Sequence, residues 1–410
     1  MKKFLTFTTL IFAAGSFTKI AYLKDSFYIQ MQEFMYLTHT QIGLAMSVYG
    51  IVQAFGGVVS VYISDRFSKK ILIPWSLIGI GITGIYLSTY PAYIGVLICW
   101  GLFSLFTEII CWPVILKTIR LLGNKDNQGK IFSFLELGRG FIDVLISFLG
   151  LQIFLYLGSN ANALKGTIIF YSISVIVIGI ISYFLLEDDI ILKNKTESKH
   201  RIVLQNIKLI IKKSELWYAS FTMFCIYSAY CGITYFLPFL KEIYNIPVEY
   251  LVYYGIINQY GLKLVGSPLG GYGADKLSHS PIKFIRLLLI IASIIMIIFI
   301  LLPHNKLNNY ILIGIILTLS FGVMIFALRA IYFAQINEIN IPIESTGAAM
   351  SILCIIGYLP RSFMYTIYGS ILDKNNNIIG YNGIFIIMLS FLILGIISAS
   401  IIVKRIYKKI

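Results

Sequence analysis

The chain has 410 residues, of which 58% are hydrophobic and 12% charged, and its formal net charge is +15. So little polar surface cannot cover a water-soluble domain of this size, which excludes an ordinary soluble protein and favours one embedded in a bilayer. Lysines and arginines punctuate the apolar segments instead of forming a patch, so the charge does not indicate nucleic-acid binding. Histidines and cysteines lack metal-ligand spacing and no phosphate-cradling motif occurs, so we expect no metal, no cofactor and no enzymatic activity.

Twelve apolar segments are long enough to cross a bilayer, which takes roughly 20 residues of α-helix. They lie near residues 4–22, 41–63, 71–90, 93–116, 131–157, 166–186, 216–240, 251–272, 285–302, 310–334, 346–372 and 381–403. With a cytoplasmic N-terminus, 23 lysines and arginines fall in the inner connections and five in the outer ones. Because positive charge is retained on the cytoplasmic side, the sequence predicts an all-α membrane protein with both termini in the cytoplasm.

A charged connection, residues 187–214, separates the sixth and seventh predicted helices. We interpret it as a cytoplasmic linker between an N-terminal bundle, 1–186, and a C-terminal bundle, 215–410. A glycine-bearing apolar helix runs into an acid–base dipeptide twice, at Asp65-Arg66 and at Asp275-Lys276, 210 residues apart. A repeat of about half the chain predicts two pseudo-symmetric six-helix bundles.

Charged residues inside the predicted spans are the strongest functional signal, because each costs a few kcal/mol unless it faces a bundle interior or water. They are Lys19, Glu108, Glu136, Arg139, Asp143, Lys263, Arg329 and Arg361. None falls on the third, sixth, ninth or twelfth helix, which predicts that these four face lipid and that the others surround an aqueous path. Five bases against three acids favour an anionic substrate. The alternative is that Lys19 and Arg329 snorkel to opposite surfaces and remove the surplus.

Helix five carries Glu136, Arg139 and Asp143 on one face, where the arginine can pair with either acid. A structural ion pair is favoured over a proton relay there, since a buried arginine needs a carboxylate. Glu108 is the better candidate for proton coupling, with a structural role equally open.

Substrate contacts are predicted first at Lys263 and Arg361, which lie too deep in their helices to snorkel, and also at Lys19, Arg139 and Arg329. On helix seven, Tyr227 and Tyr230 share a face near mid-depth. They can hydrogen-bond a substrate or pack against a neighbouring helix, and packing is the commoner role.

Six plus six spans, a central linker and acid–base loops after helices two and eight together resemble the major facilitator superfamily. The second loop, Gly271-Tyr-Gly-Ala-Asp275-Lys276, matches that family's pattern, whereas the first has Val61 and Ser68 where glycines are usual. The resemblance implies that the loops act in gating, and that they help to latch the inward-closed state. The gating residues it implies are Asp65, Arg66, Asp275 and Lys276.

A narrower likeness is carried by residues 108–120, 129–140 and 328–334. These stretches are similar to the YihN-like group of bacterial inner-membrane permeases, which lies close to the organic phosphate antiporters. Two departures matter: Arg361 stands where an acid is usual, and Leu137 where a glycine is usual. The cavity is then more positive than in the relatives, so a substrate cannot be carried over from them.

The sequence therefore predicts a monomeric secondary transporter, multi-pass in the bacterial plasma membrane, that moves a small organic anion by alternating access. Proton coupling through Glu108 is one mechanism, and anion exchange of the organic-phosphate type is the main alternative. A non-transporting ligand sensor with the same fold is the rival from another class, although the 187–214 linker is too short to fold as a docking domain. The expected partners are a small-molecule substrate and the lipid bilayer, and not nucleic acid.

Overall fold

The computed structural model describes residues 2–122, 128–188, 212–278, 280–304, 308–339, 341, 346–375 and 378–407. Regular secondary structure in these residues is helical, without strands. The first eight α-helices are α1 (Lys2–Ser16), α2 (Lys24–Met35), α3 (His39–Arg66), α4 (Lys69–Ser88), α5 (Tyr93–Ser104), α6 (Trp112–Leu122), α7 (Gln128–Tyr156) and α8 (Ala161–Leu185). The others are α9 (Ser214–Gly232), α10 (Phe236–Glu242), α11 (Val248–Ile256), α12 (Leu262–Tyr272), α13 (Pro281–Leu301), α14 (Asn308–Ile331), α15 (Thr346–Tyr358), α16 (Met364–Lys374) and α17 (Ile378–Tyr407).

Shorter helical turns join several of these elements. A π-helix, Leu105–Cys111, continues α5 into α6, and two more occupy Ile257–Gly261 and Gly273–Leu277 on either side of α12. A 3-10 helix, Leu359–Ser362, follows α15. These segments mark places where the backbone hydrogen-bond register changes inside an otherwise apolar run.

Eight helices among the described residues are long and apolar enough to cross a membrane. They coincide with the predicted third to seventh, ninth, tenth and twelfth spans. The prediction of an all-helical membrane protein is therefore confirmed, while the total of twelve spans and the cytoplasmic termini stay predictions.

The first predicted span differs from the structure at its outer end. Helix α1 stops at Ser16, turns follow, and α2 then occupies residues expected in an exposed connection. Lys24 and Asp25 are buried there, 2.5 Å apart between Nζ and Oδ1. Two charges in a row are typical of a loop, but adjacent opposite charges compensate each other and can be buried together.

The described helices belong to two compact units. The first comprises Met1–Leu192 with Pro247–Tyr260, and the second Lys193–Ile246 with Gly261–Ile410. In the first unit α4 packs on α8, α1 on α7, and α11 on α2 and α7. In the second, α9 packs on α15 and α17, and α12 on α14. The domain boundaries drawn from the sequence stay a prediction.

Both acid–base loops lead into a helix that a serine caps. Ser68 Oγ accepts a hydrogen bond from the Lys70 amide at 3.2 Å and donates to Asp188 Oδ1 at 3.0 Å. Ser280 Oγ likewise donates to Glu338 Oε2 at 2.7 Å. Carboxylates and hydroxyls at a helix N-terminus satisfy its free amides and suit its dipole. The two copies of the repeat thus start their next helix in the same way.

Candidate functional site: buried cations and a half-buried carboxylate

Helices α9, α14 and α15 of the second unit, with the turn after α14 and the 3-10 helix after α15, bring two arginines onto a group of tyrosines. We call this group the arginine–tyrosine cluster: Tyr227, Tyr230, Arg329, Tyr332, Tyr358 and Arg361. The tyrosines at 227 and 230 come from α9, and Arg329 comes from the last turn of α14. Pro360, which lacks an amide donor, is the second residue of the 3-10 helix after α15, and that 3-10 helix carries Arg361.

Arg361 is held by the hydroxyl of Tyr227. Its Nε donates to Tyr227 Oη at 2.9 Å, and its Nη2 contacts the same oxygen. The guanidinium carbon lies 5.4 Å from the centre of the Tyr227 ring and 5.9 Å from that of Tyr358, and only 7% of Arg361 is exposed. The guanidinium is therefore held both by the Tyr227 hydroxyl and by the two aromatic rings.

Arg329 is held differently, by ring faces. Its guanidinium carbon lies 3.9 Å from the centre of the Tyr230 ring and 5.7 Å from that of Tyr227. Its Nε is buried and has no hydrogen-bond partner. Within the described part of the chain no carboxylate pairs with Arg329. A cation–π contact of this kind contributes about 0.5–2 kcal/mol but does not neutralise the charge.

The tyrosines form one packed group. The Tyr227 ring meets those of Tyr230 and Tyr358 edge-on at 5.2 and 5.1 Å, and the hydroxyls of Tyr332 and Tyr358 are 2.9 Å apart. The sequence left packing and hydrogen bonding open for the first two, and Tyr227 does both. Tyr332 and Tyr358 were missed. The signal for them was spacing, since each lies three residues from an arginine, at 329 and 361, on a helical stretch.

In the first unit Lys19 forms an ion pair with Asp143. The lysine lies in the turns between α1 and α2, and its Nζ also donates to Ser147 Oγ at 3.0 Å. The same ammonium sits 3.6 Å from the centre of the Tyr260 ring. Lys19 is 2% exposed and Asp143 6%. A substrate anion at Lys19 would have to compete with this carboxylate, and the predicted substrate contact there stays a prediction.

On α7, Arg139 pairs with Glu136, one of the two acids that the sequence analysis proposed as its partner. Arg139 Nη1 lies 3.4 Å from Glu136 Oε1, with 47% of the glutamate side chain exposed. The guanidinium carbon is 4.9 Å from the Trp112 ring centre. The other acid, Asp143, forms its ion pair with Lys19, which lies in the turns after α1.

Glu108 lies in the π-helix between α5 and α6 and accepts two hydrogen bonds from α3. Tyr49 Oη donates to its Oε1 at 3.0 Å, and Gln53 Nε2 to its Oε2 at 3.1 Å. The two donors are four residues apart and so share a helix face. The sequence reasoning missed both, although a glutamine inside an apolar span was a usable signal.

The remaining predicted site residues are Lys263, the Asp275-Lys276 loop and the Asp65-Arg66 loop. Lys263 is half-buried in the first turn of α12, and Asp275 and Lys276 are exposed in the π-helix that follows it. Asp65 and Arg66 end α3, and their side chains lie outside the described residues. The described residues contain no group of three or more His, Cys, Asp or Glu that could hold a metal ion.

Eight helices able to cross a bilayer, together with the buried Lys19–Asp143 ion pair and the buried Arg361, define a multi-pass membrane protein. The chain belongs to the Major Facilitator Superfamily, whose sequence profile matches residues 4–365. Members of this superfamily are generally transporters and not enzymes.

The relatives agree with this assignment. The chain is 40% identical to the Escherichia coli inner membrane protein YihN over all of its own length and 97% of that protein. It is 30% identical to the E. coli inner membrane protein YqcE over 90% of its length and 87% of that protein. It shares its fold, at a TM-score of 0.76 and 15% identity, with a bacterial homologue of the human lysosomal transporter Spinster, over 99% of this chain and 98% of that one. The resemblance to the YihN-like group is confirmed, and the protein is a multi-pass protein of the plasma membrane.

Proposed function

We propose that the protein is a monomeric secondary transporter that moves a small organic anion across the plasma membrane. In this proposal the chain forms twelve spans in two six-helix halves, with both termini in the cytoplasm. A substrate site at the membrane midplane opens in turn to each side of the membrane. The single observation that supports an anionic substrate is the environment of Arg329. Its buried Nε has no hydrogen-bond partner, and no carboxylate pairs with it in the described residues. A guanidinium with a buried nitrogen that meets no partner is costly within a membrane span, so an anion is the natural counter-charge.

The geometry of the arginine–tyrosine cluster supports a shared anion site. The guanidinium carbons of Arg329 and Arg361 lie 5.7 and 5.4 Å from the centre of the same Tyr227 ring. Two planar guanidinium groups held at one ring can approach one carboxylate or phosphate group with paired donors. A carboxylate, a sugar acid or a phosphorylated metabolite fits this chemistry. Lys263 stays a candidate for a further contact.

Gating is proposed for the two acid–base loops, Asp65-Arg66 and Asp275-Lys276. Family membership supports this role, and so does the matched capping of the helices that follow, at Ser68 and Ser280. Coupling to protons or exchange against a second anion would both drive such a cycle.

Replacing Arg329 is expected to remove anion binding. The probes are gluconate, succinate and glucose 6-phosphate, with sorbitol and glucose as neutral counterparts, and the measurement is the Tm of purified protein in detergent. At least one anion should raise the Tm of the wild type. Arg329→Gln should weaken its apparent affinity roughly 10- to 100-fold, because a charge-assisted hydrogen bond contributes about 1.5–3 kcal/mol. Uptake into proteoliposomes should fall in parallel.

Arg405→Gln is the matched control. Arg405 also stacks on a tyrosine, with its guanidinium carbon 5.0 Å from the Tyr218 ring centre, but it is exposed in the last turn of α17. Its removal should leave anion affinity unchanged. Equal affinity in wild type and Arg329→Gln, or equal losses in both variants, would show that the cluster is not the anion site.

A further inference from the structure

The hydroxyls of Tyr332 and Tyr358 form a pair in the arginine–tyrosine cluster. Their oxygens lie 2.9 Å apart, and within the described part of the chain neither oxygen has another hydrogen-bond partner. Tyr332 is 4% exposed and lies in the turn after α14, while the half-buried Tyr358 ends α15. The two oxygens are therefore brought together by the packing of two separate helices and not by a local turn.

The pair can make more hydrogen bonds than the protein gives it. Two phenol hydroxyls carry two hydrogens, and a hydrogen bond between them uses only one. Whichever tyrosine donates, the other keeps an O–H that meets no acceptor among the described residues. Because both oxygens also keep lone pairs, the pair can donate one hydrogen bond and accept another. An alcohol group makes both of these bonds, whereas the oxygens of an ionised carboxylate only accept.

The pair adjoins both arginines of the cluster. Tyr332 follows Arg329 by three residues, and Tyr358 precedes Arg361 by three. The Arg361 guanidinium carbon lies 5.9 Å from the centre of the Tyr358 ring, and both phenols act electrostatically on Arg329. A ligand whose anionic group meets the guanidinium groups therefore has the hydroxyl pair near the adjoining part of its carbon skeleton.

Ring packing fixes the orientation of the two phenols. The Phe333 ring centre lies 4.6 Å from that of Tyr332 and 6.4 Å from that of Tyr358, and both contacts are edge-on. The Tyr358 ring also meets the Tyr227 ring edge-on at 5.1 Å. Phenols held in this way lose little freedom when a ligand binds, so their hydrogen bonds discriminate well between ligands.

We infer that the Tyr332–Tyr358 pair selects organic anions that carry an alcohol group close to the acidic group, with both tyrosines as specificity-determining residues. The substrate class is then a hydroxylated organic acid. The inference deepens the proposed function and rests on it for the anion site itself. A site that hydrogen-bonds a ligand hydroxyl discriminates against the analogue without it, because the polar groups of the site are then left unpaired.

Matched pairs of acids test this selection. Malate and succinate carry the same two carboxylates and differ by one hydroxyl group, and lactate and propionate are the corresponding monocarboxylates. Each enantiomer is tested separately, and the apparent affinity is taken from the Tm of purified protein in detergent. In at least one of the two pairs, the wild type should bind the better hydroxy acid roughly 10-fold more tightly than the plain acid, which is the effect of two ordinary hydrogen bonds.

Replacing both tyrosines, Tyr332→Phe with Tyr358→Phe, removes the hydroxyls and keeps the rings. The preference for the hydroxy acid should disappear, while the affinity for the plain acid should stay within about 3-fold of the wild type, because the guanidinium groups remain. Each single variant keeps one hydroxyl and should show an intermediate preference. A purely structural role of the pair would instead weaken both acids equally.

Tyr368→Phe is the matched control. Tyr368 is a fully buried tyrosine on α16 of the same unit, and its hydroxyl donates to the Ser228 carbonyl oxygen at 3.0 Å. Its loss removes a buried hydroxyl outside the arginine–tyrosine cluster. The ratio of hydroxy-acid to plain-acid affinity should therefore equal that of the wild type.

Two results would overturn the inference: equal wild-type affinity for the hydroxylated and plain acids of both pairs, or a preference that survives in the double phenylalanine variant. Failure of the proposed function has a different signature, since wild-type protein would then bind none of the acids and none of the three anion probes. The first failure concerns the ratio between anions that bind and the second the absence of binding, so the two are distinguishable.

Discussion

Asp143→Asn is expected to destabilise the protein by about 3–5 kcal/mol, because it leaves the Lys19 ammonium buried without its carboxylate. Lys19 is 2% exposed, and the Ser147 hydroxyl and the Tyr260 ring carry no negative charge. Asp25, the other carboxylate that acts on Lys19, is already paired with Lys24. The free energy of unfolding of purified protein in mixed micelles, from a denaturant titration, measures the loss.

Two further variants separate the ion pair from other causes. Adding Lys19→Met to Asp143→Asn removes both charges at nearly constant volume, and most of the stability should return, with a coupling energy above about 2 kcal/mol. Glu136→Gln breaks the half-exposed pair with Arg139 on the same helix and should cost less than about 1 kcal/mol. An Asp143→Asn protein as stable as Glu136→Gln would mean that Asp143 does not hold Lys19.

These two pairs show which contacts the sequence can predict. Glu136 and Arg139 are three residues apart on one helix, so the regular geometry of that helix was enough to propose their contact. Lys19 and Asp143 come from distant parts of the chain, and their contact depends on how α7 packs against the turns after α1. Hydropathy was enough to place Lys19 and Asp143 within predicted spans. Which residues form an ion pair depends on how the helices pack, and hydropathy does not contain that information.

The same limit applies to helix interruptions. The π-helix around Glu108 and the turns around Lys19 lie inside segments whose averaged hydropathy is that of one continuous helix. A sum over roughly 20 residues registers total apolar character and not the place where the hydrogen-bond register slips. The position of these charges was therefore predictable, whereas the π-helix that brings Thr107 and Glu108 to the same Tyr49 hydroxyl was not.

The repeat was predictable from two acid–base loops, and the structure extends it to helix packing. Gly56 and Gly266 are 210 residues apart, the same spacing as the loops. A Cβ at Gly56 would lie 2.0 Å from Ile109 Cδ1, and one at Gly266 would lie 2.7 Å from the Val323 carbonyl oxygen. In each unit, a glycine before the loop therefore allows a neighbouring helical segment to pack closely against its helix. The second copy is less able to accept a side chain, because the backbone of the neighbouring helix lies opposite, and not a side chain that can rotate away.

Gly270→Val is accordingly expected to disrupt the second unit, with a loss of about 3 kcal/mol or more. A Cβ at Gly270 would lie 2.4 Å from the Ala327 carbonyl oxygen, and backbone cannot rotate away as a side chain can. Small residues of this kind let two membrane helices, here α12 and α14, approach closely. Ala327 is two residues from Arg329, so forcing the helices apart also moves the guanidinium relative to the Tyr230 ring.

Gly271→Val provides the control in the adjacent position. Nothing lies within 4 Å of a Cβ built there, so the stability should stay within about 0.5 kcal/mol of the wild type. The measurements are the free energy of unfolding and the Tm shift produced by the anion probes, and Gly270→Val should lose both stability and response. Equal stability of the two valine variants would show that α12 and α14 do not meet through Gly270. Normal anion affinity in a destabilised Gly270→Val protein would instead separate this helix contact from the placement of Arg329.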